Sequence, residues 1–326
     1  MTAPIDRRKF LGTAVAGGTA LGLGRLPGVF AGDQAAGRAA ESPLPKRALG
    51  RTGYDVALFS LGGQALLETR GPGVRERAVA LIHRALDLGV NYCDTAPLYG
   101  PSQDYFGEVM KTRRRETFLA TKTSDRTRDG SLRLLHESLR RLQTDHLDLW
   151  QLHHVGPQSD LDGIFAKGGA IEALRRARDE KMVRFLGITG HFDPAMLLKG
   201  LRRFDFDCIL MALNAADRHH LPFQEDLLAY AVSKQMGIIG MKVPARGRLL
   251  QHAGLTMKEC VDYVWSLPVS TIIVGCDSIA QVEENVALAR GFQPLDRDRL
   301  ALLEARTRAE GLQCSWYKRG SVEPWG

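Results

Sequence analysis

The 326-residue sequence lacks the patterns typical of metalloproteins, nucleic-acid-binding proteins and integral membrane proteins. No two of its five cysteines are closely spaced, which argues against a structural zinc site or an iron–sulfur binding run. No recognition motif accompanies the formal net charge of +7, so nucleic-acid binding is not expected. The cysteines are Cys93, Cys208, Cys260, Cys276 and Cys314; an oxidising compartment would permit one disulfide, whose partners the spacing leaves open.

The amino terminus has the pattern of a twin-arginine export signal. Arg7-Arg8 precede a weakly apolar stretch, residues 10–23, that is too short and too interrupted to span a bilayer comfortably, and Val29-Phe30-Ala31 is a plausible cleavage site. A basic tail or an interfacial helix is the alternative. We predict a signal over residues 1–31, a linker over 32–45 and a folded part over 46–326. The protein is then periplasmic or otherwise exported, with the twin-arginine machinery as a partner and no stable membrane span.

From residue 59 onward, short apolar strands alternate with amphipathic helices. Eight strand–helix units at intervals of about 30 residues predict a (β/α)8 TIM barrel. Residues 46–58, around Gly50-Arg51-Thr52-Gly53, predict a β-hairpin before it. An open doubly wound sheet is the rival, but Leu61-Gly62-Gly63-Gln64 lacks the spacing of a dinucleotide fingerprint. Strands are expected to start near residues 59, 90, 118, 147, 185, 209, 237 and 271, and helices to include 75–88, 132–142, 171–179, 226–236 and 279–290.

Four ionisable side chains follow three successive predicted strands. Asp94 and Lys122 end two of them, His153 ends the third, and Tyr99 lies in the loop after Asp94. In a parallel barrel these positions share the face that carries active sites. An ammonium group near a phenol lowers the phenol's pKa from its usual value of about 10, so Lys122 could activate Tyr99. Such a set moves a proton at a carbonyl or hydroxyl oxygen, and a redox reaction would need a separate hydride carrier.

Each of these residues also has an ordinary structural interpretation. An aspartate or tyrosine in a turn often bonds the backbone, and a lysine at a strand end often extends to solvent. A histidine such as His153 or His154 can be a satisfied core residue. Their joint placement on one face nevertheless favours a catalytic set.

The same segments resemble the aldo-keto reductase superfamily. The resemblance rests on Asp94-Thr95-Ala96-Pro97-Leu98-Tyr99-Gly100, Ala120-Thr121-Lys122 and Asp148-Leu149-Trp150-Gln151-Leu152-His153, continues through Val274-Gly275 and Gln281-Val282-Glu283-Glu284-Asn285, and covers residues 46 to about 290. It implies that Tyr99 is the general acid of carbonyl reduction, that Lys122 and Asp94 tune it, and that His153, rather than His154, orients the carbonyl. It also implies hydride transfer from NADPH or NADH.

On the cofactor side the resemblance is weaker. Thr189 and Gly190 stand where the family usually has a Ser-Asn pair that holds the nicotinamide amide. Leu210 replaces a usual glutamine, with Asn214 a little beyond it, and Met241 replaces an aromatic residue.

The predicted phosphate end contains an acid and no base. In relatives that use NADP, basic side chains near residues 275–281 grip the 2′-phosphate. Here Asp277 would repel that phosphate and could accept bonds from a ribose diol, which favours NADH. Basic residues of the preceding loop, including Arg248, could compensate. The cofactor-contacting residues expected from the resemblance are Thr189, Gly190, Asn214, Met241, Lys242, Arg246, Gly275, Asp277, Gln281, Glu284 and Asn285.

The substrate is an aldehyde, a ketone or a sugar carbonyl on this interpretation. Candidates for an apolar rim are Trp150, Phe192, Trp316, Tyr317 and Trp325, although such aromatics often only pack. The alternative function is a nucleotide-binding sensor or partner-binding module with little turnover. A third is in-place cycling of a tightly held cofactor that converts one sugar into another. No metal ion is expected.

Overall fold

The computed structural model describes residues 42–318. The predicted signal, residues 32–41 of the predicted linker and Trp325 lie outside the described residues. Within them, no helix combines the length and apolarity that crossing a bilayer requires. All five cysteines are buried and none is in a disulfide.

A β-hairpin precedes the barrel, as predicted. Strands β1 (Lys46–Ala48) and β2 (Asp55–Ala57) pair antiparallel around a short 3-10 helix at Gly50–Thr52. Leu49 and Val56 pack in one cluster with Tyr92 and Phe118 from the barrel interior. The hairpin therefore caps one end of the barrel.

Eight parallel strands close into a barrel, which confirms the predicted fold class. The order around the barrel follows the chain, and the last strand pairs with the first, Ile272 beside Phe59. The strands are β3 (Phe59–Gly62), β4 (Tyr92–Asp94), β5 (Phe118–Thr123), β6 (Leu147–Leu152), β7 (Val183–Gly190), β8 (Cys208–Ala212), β9 (Gly237–Met241) and β10 (Thr271–Val274).

Helices surround the barrel because each carries an apolar face at three-and-four spacing. In the first helix, Ala78, Leu81, Ile82 and Ala85 are buried. Within residues 42–318 the α-helices are α1 (Val74–Asp87), α2 (Ser102–Arg113), α3 (Arg128–Leu142), α4 (Gln158–Ile164), α5 (Ala170–Asp179), α6 (Pro194–Arg203), α7 (Asp226–Ser233), α8 (Arg248–Gln251), α9 (Met257–Trp265), α10 (Ile279–Arg290), α11 (Arg297–Thr307) and α12 (Gly311–Cys314).

Alternation along the strands sorts side chains between two cores. Leu149 of β6 belongs to the barrel interior, whereas Trp150 belongs to the core between strands and helices. Trp150 therefore does not line a rim at the strand ends, contrary to one of the sequence-based alternatives. Trp316 and Tyr317 instead form a small buried cluster with Ala212 at the carboxyl end of β8.

Candidate active site

The four ionisable residues singled out from the sequence occupy the carboxyl ends of β4, β5 and β6. Asp94 is the last residue of β4, Lys122 is the penultimate residue of β5, and His153 follows β6 directly. Tyr99 lies in the loop between β4 and α2. The structure therefore brings the four together on one face of the barrel.

Asp94 and Lys122 form a buried ion pair. Both side chains are 1% exposed, and Lys122 Nζ donates to Asp94 Oδ1 and, at 2.8 Å, to the Thr95 carbonyl oxygen. A second donor, Gln151 Nε2, reaches Asp94 Oδ2 at 3.1 Å. Burial disfavours the Lys122 ammonium, but the attraction of Asp94 and of Tyr99 outweighs it and raises the pKa of Lys122. Lys122 is therefore charged at neutral pH.

Tyr99 is half-buried between the lysine and the histidine. Lys122 Nζ lies 5.0 Å from the centroid of the Tyr99 ring, and the Tyr99 and His153 rings meet edge to face with centroids 5.7 Å apart. Burial raises the pKa of Tyr99, and the Lys122 charge opposes that rise without reversing it. The Lys122 ammonium thus lowers the pKa of Tyr99 as expected from the sequence, but the loss of water on burial outweighs it. The phenol is protonated at neutral pH.

A glycine shapes the loop that carries Tyr99. Gly100 has φ +50°, and a Cβ built there would lie 2.7 Å from the Glu68 carbonyl oxygen. Only glycine combines that backbone conformation with such a close approach. Arg141 Nη2 donates to the Gly100 carbonyl oxygen at 2.6 Å and holds the loop from α3.

His153 is held by its backbone and is neutral. Arg126 Nη2 donates to the carbonyl oxygens of His153 at 2.9 Å and of His154 at 3.2 Å, while its Nε and Nη2 also bond the Asp160 carboxylate. His154 has φ +56°, an uncommon backbone conformation for a side-chain-bearing residue. Burial, with Lys122 nearby, lowers the pKa of His153 well below its usual range. Its Nδ1 is buried without a hydrogen-bond partner among residues 42–318.

The imidazole rings of His154 and His191 lie one after the other next to that of His153. The His153 and His154 rings are 6.4 Å apart between centroids, His154 and His191 are 4.6 Å apart, and His191 and Tyr317 are 5.9 Å apart. Burial lowers the pKa of His154, and lowers that of His191 well below its usual range. Neutral imidazoles both donate and accept hydrogen bonds. No group of three or more His, Cys, Asp or Glu residues in the described part of the chain is arranged to hold a metal ion.

Basic residues collect in the loop after β9. Lys242 Nζ lies 5.3 Å from the centroid of the Trp316 ring, and the Arg246 and Arg248 guanidinium carbons lie 5.7 Å and 5.4 Å from it. Burial, with Arg246 nearby, lowers the pKa of Lys242 to about 7. A bound anion would relieve this repulsion, so the cluster can hold phosphate.

The end of β10 and the start of α10 carry the acidic part of the predicted cofactor set. Asp277, Gln281 and Glu284 are exposed. The Gln281 side chain accepts a bond from the Asp277 backbone N–H at 2.7 Å, and Asn285 is buried with its Nδ2 3.5 Å from Cys276 Sγ. Gly275 packs closely, because a Cβ there would lie 3.1 Å from the Gln64 carbonyl.

The remaining predicted cofactor residues differ in what they can offer. Thr189 is buried near the end of β7, and Met241 is half-buried at the end of β9. Gly190 has no room for a larger residue, since a Cβ there would lie 2.5 Å from the Val155 carbonyl oxygen.

Asn214 is engaged within the protein. Its Nδ2 donates to the Lys242 carbonyl oxygen at 3.0 Å and the Tyr317 hydroxyl at 2.8 Å, while its Oδ1 accepts from the Ala216 N–H at 2.9 Å. Asn214 therefore joins the β9 loop to the carboxyl-terminal segment.

These observations fit a nicotinamide dinucleotide. The cation cluster suits a pyrophosphate, because ammonium and guanidinium groups complement the charge of phosphate. At the exposed start of α10, the acids Asp277 and Glu284 suit a ribose diol better than a 2′-phosphate.

Sequence reasoning missed Gln151 and Arg126. Gln151 lies two residues before His153 on the same strand, so alternation along β6 could have placed it inside the barrel. Arg126 acts through backbone carbonyls and has no comparable signal in the sequence.

Known proteins resemble this chain in sequence and in fold. A sequence model of the Aldo/keto reductase family matches residues 59–259. L-galactose dehydrogenase from Arabidopsis thaliana is 30% identical over 304 residues, covering 81% of this chain and 94% of that protein. The uncharacterized oxidoreductase YqkF from Bacillus subtilis (strain 168) is 25% identical over 316 residues, covering 82% of this chain and 98% of that protein. The holo form of the aldo-keto reductase AKR11C1 from Bacillus halodurans has a TM-score of 0.69 and 25% identity, covering 81% of this chain and 96% of that chain.

Proposed function

This chain belongs to the aldo/keto reductase family and is an NAD(P)-dependent oxidoreductase, and on that premise we propose that it reduces a hydroxylated aldehyde or ketone with Tyr99 as the proton donor. The observation that carries the proposal is the placement of a protonated Tyr99 between charged Lys122 and neutral His153. When bound, the reduced nicotinamide supplies the hydride that these side chains cannot.

Each of the four residues has one role in this proposal. His153 donates a hydrogen bond from its neutral imidazole to the carbonyl oxygen and directs it toward Tyr99. Tyr99 gives its proton to that oxygen as negative charge develops there. The Lys122 ammonium stabilises the phenolate that remains, and Asp94 keeps Lys122 charged and oriented.

Replacement of Tyr99 by phenylalanine tests the assignment. Tyr99→Phe should reduce carbonyl turnover by roughly 10²–10⁴-fold, the usual contribution of general acid catalysis, while nucleotide affinity measured by protein fluorescence stays unchanged. Tyr105→Phe is the matched control, because Tyr105 is a buried tyrosine whose hydroxyl donates to the Thr69 carbonyl oxygen at 3.0 Å. Full turnover in Tyr99→Phe would refute the role. Wild-type protein that binds nucleotide but reduces no carbonyl would instead support the sensor alternative.

The polar wall beside His153 supports hydroxylated substrates. His154 and His191 are neutral imidazoles within 4.6 Å of each other between ring centroids, so they can bond hydroxyl groups near the reacting carbon. The 30% identity to L-galactose dehydrogenase supports the same class. We expect higher kcat/KM for aldoses and hydroxyaldehydes than for alkyl or aryl aldehydes of equal size. The reverse order in a substrate panel would contradict this choice.

The cofactor preference follows from the α10 start. Asp277 repels a 2′-phosphate, so NADH should bind more tightly than NADPH in fluorescence titrations. Asp277→Asn should strengthen NADPH binding several-fold, and it should weaken NADH binding because the charged acceptor for the ribose diol is lost. Asp298→Asn in α11, which also removes an exposed carboxylate, is the control. Equal NADPH affinity in wild type and Asp277→Asn would show that the carboxylate does not select.

Export remains part of the proposal. It rests on Arg7-Arg8 and the apolar stretch after them, which lie outside the described residues. Fractionation of bacterial cells should find the mature chain outside the cytoplasm. Replacing both arginines by lysine should retain it inside, and unchanged location would count against the signal.

A further inference from the structure

Gln151 provides the second donor to the Asp94 carboxylate. It pairs in register with Lys122 across β5 and β6, so the two side chains stand at the same level inside the barrel. Lys122 donates to one carboxylate oxygen of Asp94 and Gln151 Nε2 to the other, at 3.1 Å. The two donors come from successive strands, and together they fix the plane of the carboxylate.

The surroundings of Gln151 indicate that this bond is its main task. The side chain is fully buried, and its Oε1 has no hydrogen-bond partner in the described part of the chain. A buried acceptor without a partner costs stability, so fold stability alone does not explain a glutamine here. The neighbouring strand leaves space for it, because a Cβ on Gly187 would lie 2.9 Å from Gln151 Cγ.

We propose that Gln151 is a positioning residue, which holds the Asp94 carboxylate ionised and aimed at Lys122 and thereby sets the pH at which Tyr99 releases its proton. The proposal rests on the function proposed for Tyr99. It extends that function by proposing that a residue of β6 adjusts the pKa of the general acid Tyr99 through Asp94, which ends β4 two strands away.

The direction of the effect follows from the charges. Without the Gln151 donor, Asp94 either keeps a less neutralised charge or takes the proton of Lys122. The first change adds negative field at Tyr99, and the second removes its nearest positive charge; both raise the pKa of Tyr99. The other titratable groups facing this cluster are Tyr92 of β4, Glu68 after β3 and His153 after β6, and the substitution leaves them in place.

Gln151→Met tests the proposal, because methionine keeps the length of the side chain and removes the donor. The ionisation of Tyr99 is read as tyrosinate absorbance from pH 8 up to the highest pH at which the protein stays folded, as the difference between each protein and the same protein carrying Tyr99→Phe. Gln151→Met should move this titration upward by about one pH unit, the size expected for losing one hydrogen bond to a charged group. The pH profile of alcohol oxidation, which needs the phenolate, should move in the same direction.

Gln103→Met is the matched control. Gln103 is also a buried glutamine whose Oε1 has no partner within residues 42–318, but its Nε2 donates to the neutral hydroxyls of Thr121 at 2.8 Å and Ser138 at 2.9 Å. This control should leave the Tyr99 titration where it is. Gln151→Leu, which also removes the donor and adds no charge, should raise the titration as Gln151→Met does, and it provides the answer if the methionine variant does not fold.

Each outcome has one meaning. An unchanged Tyr99 titration in folded Gln151→Met or Gln151→Leu overturns the proposal, and so does an equal shift in Gln103→Met, which would show a general loss of packing. The titration needs neither cofactor nor substrate. A wild-type protein that reduces no carbonyl would therefore refute the proposed function while leaving the role of Gln151 decided by the absorbance.

Discussion

Removal of the Lys318 ammonium should destabilise the protein more than any loss of a surface charge. Lys318 and Asp217 are fully buried, and Lys318 Nζ donates to the Asp217 carboxylate, to the Asp217 carbonyl oxygen at 3.1 Å and to the His220 carbonyl oxygen at 2.8 Å. In Lys318→Met, the Asp217 carboxylate keeps its hydrogen bonds from the backbone N–H groups of Phe223 and Gln224 but loses its counter-charge. The carbonyl oxygens of Asp217 and His220 each lose a hydrogen-bond donor. Breaking a buried pair from one side costs about 3–5 kcal/mol.

A double-mutant cycle isolates the pair. Asp217→Asn alone leaves a buried ammonium without a counter-charge and should also cost about 3–5 kcal/mol, whereas Asp217→Asn/Lys318→Met should cost about 2 kcal/mol less than the sum of the two. The free energies of unfolding come from urea titrations followed by tryptophan fluorescence. Arg176→Met, which breaks the exposed i,i+4 pair with Glu180, should cost less than about 1 kcal/mol. A Lys318→Met cost equally small, or strictly additive costs, would refute the reasoning.

Three further outcomes follow from the site and its supports. Lys242 has a pKa of about 7, so the free protein loses this positive charge as the pH rises through that value. Fluorescence titrations should therefore show that NADH binds more weakly at pH 9 than at pH 6. Lys242→Met should make NADH affinity nearly independent of pH over this range, and an unchanged pH dependence would exclude Lys242 as its source. Arg126→Met frees the His153 backbone and should lower kcat by about tenfold at unchanged nucleotide affinity, and wild-type kcat would remove Arg126 from the support of the site. Gly107→Ala would place a Cβ 2.1 Å from a carbonyl oxygen of α3 and should lower the free energy of unfolding by about 1–3 kcal/mol. Gly291→Ala should change that free energy little, because a Cβ at Gly291 would make only ordinary van der Waals contact. Equal changes in the two variants would contradict the close approach at Gly107.

The barrel and the four clustered residues were predictable because their signals are local. Each strand is a short apolar run with a polar residue at or just beyond its end, as in Asp94, Lys122 and His153, and the parallel topology alone brings such ends together. The helix predicted over residues 226–236 is shorter in the structure and ends at Ser233. Gln235, just after the helix, has φ +54°, the left-handed backbone conformation that often ends helices. A glycine at this position would have predicted the end of the helix from the sequence, whereas a glutamine does not.

The supporting contacts were not predictable because they join distant parts of the chain. Gln151 and Asp94 are 57 residues apart, and their bond depends on the register of two strand pairs. Asn214 was assigned to the cofactor by resemblance, yet its amide binds Tyr317, 103 residues further along. A sequence motif identifies which side chain stands at a position. The group to which that side chain hydrogen-bonds is determined by tertiary packing.

The pairing of β3 with β10 has a consequence for how the chain is made. Phe59 leaves the ribosome long before Ile272, its partner in the barrel, so one edge of β3 stays unpaired while the intervening strands are synthesised. At elongation rates of about 5–20 residues per second, this interval is on the order of 10–40 s. An open edge of a parallel sheet readily pairs with other chains. A cell that makes this protein therefore has to keep incomplete barrels from aggregating during that time. An export pathway that transports only folded proteins cannot accept the chain until β10 has been synthesised and has paired with β3.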